Sequence, residues 1–215
     1  MGVDALLTGY GGNVYPPPTI AGTYKGKRLV ICADAACIWD DLERFGCRDD
    51  QGRGGVAKQG WDFMTINKMV EMLPGRVEHA YSNEPRLLHA FIAARREEYA
   101  REFSPIGHTH SCNKGAQWRW PWSGRGSSLL GGVIVGLGLG YAEIVICGGP
   151  LDNGPHNGEP PWRKTAFLKR EVPADSPEQE NSHWREAIKL GEMKGRVFSL
   201  SGRTKSWLGA PPSHL

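Results

Sequence analysis

The sequence predicts an α/β domain in which a mostly parallel sheet is covered by helices on both faces. Two short apolar runs, RLVIC at Arg28–Cys32 and EIVIC at Glu143–Cys147, have the continuous hydrophobicity of strands buried on both sides. Helix-patterned segments alternate with such runs along the chain, which is the order of a parallel sheet with crossover helices. Gly and Pro punctuate the segments.

Taken in order, residues 1–26 are rich in Gly and Pro, with three consecutive prolines from Pro16, and predict an irregular N-terminal arm. The rest, 27–215, predicts a single α/β domain. After the first strand, ADAAC (33–37) is a small-residue loop and 38–45 a short helix ending near Gly46. Residues 47–60 read as a polar, Gly-rich surface loop. A second strand is expected at 62–66, then a short helix or turn over 68–73 stopped by Pro74-Gly75. A third strand is expected at 76–80. Residues 86–103 place Leu87, Leu88, Phe91, Ile92 and Tyr99 at near-helical spacing opposite a charged face, so a helix is expected. Residues 104–126, with GHTHSCN and QWRWPWSGRG, predict an irregular, Trp-rich loop or lid. A helix at 127–139, a strand at 143–147, a helix at 184–193 and a strand at 196–200 complete the pattern. This is a Rossmann-like, three-layer order, in which ligands bind beyond the carboxyl ends of the strands.

Composition narrows the function classes. The chain has 215 residues and is 40% hydrophobic, enough for a buried core without staples. A net charge of +3 is too small to argue for nucleic acid and is compatible with an anionic ligand. The five cysteines are odd in number and irregularly spaced, so they predict no disulfide framework and suit a reducing, cytoplasmic setting. The opening MGVDALLTGYGG has neither a basic start nor a long apolar run, so no signal peptide is expected. The apolar run 129–142 is too short to cross a bilayer, and Gly140 divides it into a buried helix and a buried strand. An oligomer is compatible with these features.

The loops after the strands hold the candidate chemistry. Asp34 follows the first strand among alanines, where small neighbours let a ligand approach; the structural alternative is a tight strand–helix turn. Asn67 ends the second strand, and its amide serves either a ligand or the cap of the next helix. Ser127 and Ser128, preceded by Arg125, begin an apolar helix, an arrangement suited to an anion or to plain capping. The glycines at 131, 132, 136 and 138 predict close packing of that helix on the sheet. His108, His110 and Cys112 alternate and would share one side of an extended segment, which gives an alternative reading as a metal-dependent hydrolase. Trp118, Trp120 and Trp122 either stack on a base or sugar ring or anchor a loop over the core. His183 is expected at the start of a helix, where it serves as a general base or stands in solvent.

The order of these pieces resembles that of bacterial sialyltransferases of glycosyltransferase family 42 and of DUF115-type proteins. RLVICADAACIWDDL is similar to the family's first strand and loop, with Asp34 in the place of an Asn. FMTINKM resembles the strand ending in an Asn that contacts the nucleotide, here Asn67. VEHAYSNEP followed by a long helix, SSLLGGVIVGLGLGYAEIVICGGPLDNG, and NSHW continue the likeness in the same order. The resemblance covers about residues 28–200. It implies a GT-A-like Rossmann-type domain and a glycosyltransferase that uses a nucleotide-sugar donor of the CMP-sugar type, without a required metal or other cofactor. It also implies donor contacts from Asp34, Asn67, Arg125, Ser127, Ser128, Asp152 and Asn153, and direct displacement with His183 as base. The acceptor would carry a free hydroxyl, on a glycan, a small molecule or a modified nucleobase. The chain departs from the family in three places, one of them a shorter, Trp-rich acceptor-facing lid. ADAAC replaces a Gly-rich loop, and the loop after Cys147 offers Asn153 and His156 where sialyltransferases have tyrosines. A non-catalytic nucleotide-binding or interaction module of the same fold is the remaining alternative.

Overall fold

A computed structural model of the protein describes residues 18–49, 56–99, 104–110, 116–121, 126–152 and 177–215. Seven strands form one parallel sheet: β1 (Arg28–Cys32), β4 (Trp61–Ile66), β5 (His79–Tyr81), β6 (Ile106–Thr109), β7 (Trp118–Arg119), β8 (Glu143–Cys147) and β9 (Val197–Ser199). Their order is β7-β6-β5-β4-β1-β8-β9. A small antiparallel pair, β2 (Arg48–Asp49) and β3 (Val56–Ala57), stands apart from it. The described helices are α1 (Ile38–Arg44), α2 (Met69–Met72), α3 (Pro85–Tyr99), α4 (Ser128–Leu139), α5 (Pro177–Lys189) and α6 (Gly202–Leu208). The chain winds outward from β1 through β7, then returns along α4 to β8 on the other side of β1. This is a Rossmann-like three-layer α/β fold with its topological switch between β1 and β8.

Period-two alternation divides the core between the two faces of the sheet. Leu29, Ile31, Met64, Ile66, Ile144 and Ile146 pack with α4 and α5. Val30, Cys32, Phe63, Val145 and Cys147 pack with α1 and α2 on the opposite face. This two-sided burial is why the strands read as unbroken apolar runs. Helix α4 is buried from Leu129 to Leu139, and its glycines receive side chains from the sheet. A Cβ would meet Tyr81 Oη at 2.1 Å on Gly131, Ile66 Cδ1 at 2.4 Å on Gly132 and Trp120 Cζ3 at 2.5 Å on Gly138. The expected close packing of this helix is therefore present, side chain by side chain.

Several boundaries differ from the sequence reading. The segment expected to be irregular, 104–126, contributes β6 and β7. Their polar residues hide the strands from a hydropathy pattern, but His108 and Thr109 are buried because they find partners. The loop expected at 47–60 contains the β2–β3 pair. The third strand is His79–Tyr81 rather than 76–80. The helix expected at 184–193 is Pro177–Lys189, so His183 lies within it rather than at its start. The polar stretch before Trp184 continues the helix, because a surface helix needs only one apolar stripe. A further helix, α6, follows β9.

Of the expected N-terminal arm, residues 18–26 form turns fastened to the domain. Gly22 N–H donates to Gly138 O and Tyr24 N–H to Leu139 O, both at 2.9 Å. Among the described residues no helix is long and apolar enough to cross a membrane.

Candidate functional site

Register sets the site. Cys32 pairs with Thr65, Ile66 with Tyr81, and Tyr81 with His108. Asp34, Asn67 and Ser82 therefore leave adjacent strands at one level, at the carboxyl end of the sheet. Asn67 sits in the left-handed region with φ 52°, a conformation Asn tolerates better than most residues. Its N–H donates to Tyr81 O at 2.9 Å, and Ser82 Oγ donates to its Oδ1 at 2.8 Å.

Contacts run on from there to the Gly126 turn and α5. The Tyr81 hydroxyl donates to Asn83 Oδ1 at 2.9 Å, and Asn83 Nδ2 donates to Gly126 O at 3.5 Å. Tyr81 also meets His110 Nδ1. Since the single Tyr81 proton goes to Asn83, Nδ1 carries the proton of His110. Burial, then the charge of Arg119, pulls the His110 pKa down to about 4 and keeps the ring neutral near pH 7. Gly126, at φ 96°, packs against His183: a Cβ there would lie 3.2 Å from His183 Cβ. His183 Nδ1 is buried and has no hydrogen-bond partner among the described residues. Beside it, Trp184 Nε1 donates to Ser127 Oγ at 3.2 Å. One continuous set of contacts thus links Asn67, Ser82, Asn83, Gly126 and His183.

Ser127 is the N-cap of α4, with its Oγ accepting Leu130 N–H at 3.4 Å. The capping alternative holds for this hydroxyl, and the first turn of α4 follows directly on the Gly126 turn. Ser128 is the first residue of the helix and Asp152 is exposed past β8. Arg125, Asn153, His156, Cys112 and Trp122 lie outside the described residues.

The switch point itself is knit together by protein groups. Asp41, fully buried on α1, accepts Gly148 N–H at 2.9 Å and the Ser201 hydroxyl at 2.7 Å. Thr204 Oγ1 donates to Gly149 O at 2.7 Å and Arg203 N–H to Pro150 O at 2.8 Å. The backbone after β8 is thereby held in one shape beside Asp34.

Two sequence candidates are corrected by their surroundings. His108 has no nitrogen left for a metal: Trp120 Nε1 donates to its Nδ1 at 3.1 Å, and its Nε2 bonds His79 Nδ1 at 3.0 Å. Among the described residues no three His, Cys, Asp or Glu side chains gather to hold a metal ion. Trp120 is 1% exposed and packs in the core, so it anchors its segment rather than offering a stacking face. Sequence reasoning missed Tyr81, Ser82 and Asn83 as members of the cluster. Their only signal was the Ser-Asn-Glu-Pro string, which reads as a helix start. It missed Asp41 because a single acid on an amphipathic helix looks solvated.

A cavity of about 760 Å³ lies between α3 and β6, lined among others by His89, Arg96, Glu97 and Gln117. It shares no residue with the strand-end cluster. No family model, curated protein or solved structure matches the chain. Fold and geometry define a Rossmann-like α/β domain with a cluster of polar side chains at the carboxyl ends of β4 and β5.

Proposed function

We propose that the protein is a nucleotide-dependent transferase, a glycosyltransferase that takes a nucleotide-sugar donor of the CMP-sugar type. The observation that carries this reading is the convergence of Asn67, Asn83, the Gly126–Ser127 turn and His183 at the strand ends. Such folds bind nucleotides there, and the motif order resembles that of family 42 enzymes. Asn67, Ser127 and Ser128 hold the donor, with Arg125, Asp152 and Asn153 from the adjoining loops, and Asp34 meets ribose or sugar hydroxyls. His183 accepts the proton of an acceptor hydroxyl. The resulting oxygen attacks the anomeric carbon, and the bond from that carbon to the nucleotide phosphate oxygen breaks, releasing the nucleoside monophosphate. The acceptor is a glycan, a small molecule or a modified nucleobase with a free hydroxyl.

Melting curves across a panel of nucleotides test the reading, with a rise expected for CMP or another nucleotide. No shift across the panel overturns it. A non-catalytic nucleotide-binding module is the second reading, favoured by the hydrogen bonds of Asp41, Ser201 and Thr204 that already occupy the backbone at the switch point. Nucleotide binding without donor hydrolysis or transfer, unaffected by His183→Ala, selects that reading.

A further inference from the structure

We propose that Ser82 is a positioning residue that turns the carboxamide of Asn67 so that its NH2 group is offered to an oxygen acceptor of the ligand. This rests on the nucleotide reading above and adds the polarity of one contact. Asn67 is held at two points, by its backbone bond to Tyr81 O and by Ser82 Oγ on its Oδ1. Ser82 Oγ also accepts Glu84 N–H at 3.0 Å, so the hydroxyl proton is directed toward Asn67. Ser82 itself is 2% exposed, which excludes water from competing for that proton. Asn67 Nδ2 has no hydrogen-bond partner among the described residues, and Asn67 is half-buried.

An amide whose oxygen is turned toward Ser82 presents its N–H donors on the other side. Its complement is a phosphoryl oxygen or a base carbonyl oxygen; an amino or ammonium group would face two N–H donors and be rejected. The left-handed backbone accounts for an Asn at position 67. It does not account for the capture of the amide oxygen by a hydroxyl that is itself buried, which fixes a direction that backbone strain leaves open.

The experiment measures dissociation constants of CMP, cytidine and inorganic phosphate for the wild type, Asn67→Gly, Ser82→Ala and Ser82→Thr. Glycine accepts the left-handed backbone, so Asn67→Gly removes the amide without straining the fold. Loss of one directed hydrogen bond to the ligand predicts about tenfold weaker CMP binding in Asn67→Gly. Ser82→Ala is expected to weaken binding in the same direction, and Ser82→Thr, which keeps the hydroxyl, to restore it. A loss shared by CMP and cytidine identifies a base carbonyl; a loss shared by CMP and phosphate identifies a phosphoryl oxygen. Wild-type affinity in Asn67→Gly overturns the proposal. A second arm needs no ligand: the side-chain amide protons of Asn67 should exchange rapidly with water and change their shifts in Ser82→Ala. Protected protons that ignore Ser82→Ala also overturn the proposal. If the wild type binds none of the three probes, the nucleotide reading falls, and the amide signals still decide the orientation.

Discussion

His79 and His108 share a hydrogen bond of 3.0 Å inside the sheet, and it belongs to a chain with a fixed direction. The Trp120 indole only donates, so His108 Nδ1 accepts and its Nε2–H donates to His79 Nδ1. His79 Nε2–H then donates to Tyr141 Oη at 2.9 Å, and Tyr141 donates to Asp62 Oδ2 at 2.8 Å. Both imidazoles are neutral. Burial pulls His79 down to about 4, and burial with the neighbouring ring pulls His108 well below its ordinary value.

This chain predicts acid sensitivity. Between about pH 6.5 and about pH 4 the unfolded chain binds a proton at His79 and the folded one does not, and the lowered His108 acts in the same direction. Stability is therefore full above the unfolded value and falls as pH drops through that window, by up to about 1.4 kcal/mol per pH unit for each histidine. Urea midpoints at pH 7.5 and pH 5 should differ in that direction, and His79→Gln should flatten the slope. Equal midpoints would contradict the neutral, buried pair.

Gly131→Ala should destabilise, although alanine is the better helix former by about 1 kcal/mol. The new methyl would lie 2.1 Å from Tyr81 Oη and 2.4 Å from Cζ, within a ring that is itself fully buried. Overpacking of this kind costs about 2–3 kcal/mol net of relaxation. A thermal melt of the variant reads the sign directly; a raised Tm would mean that α4 stands farther from the sheet.

Arg95 is 1% exposed and is held against the end of α2. Its guanidinium donates to Val70 O at 2.8 Å, Leu73 O at 2.6 Å and Gly75 O, closing the carboxyl end of α2. Arg95→Met leaves these carbonyl groups buried without donors and should cost about 3 kcal/mol in chemical denaturation. A loss below about 0.5 kcal/mol, the usual size for an exposed helix position, would contradict the clamp.

The apolar strands and the Gly-rich helix were legible because both-sided burial writes a continuous hydrophobic run. β1 and β8 fall on the residues expected. β6 was not legible: IGHT carries too little hydrophobicity, and its burial depends on His79 and Trp120, which are distant in sequence. Asn67, Ser127 and His183 stand out in the sequence by residue type, after strands or before expected helices. What the sequence could not give was the coupling between them. Ser82 and Asn83 act only once β5 is in register with β4, and a helix-start string does not reveal that.

The most direct test of the strand-end site is a map of backbone and side-chain amide shifts on adding CMP to the isotopically labelled protein. The largest changes are expected at Asn67, Asn83, Gly126, Ser127 and His183, with small changes elsewhere. Changes confined to Arg96, Gln117 and their neighbours around the α3 cavity, with the strand ends unmoved, would contradict it.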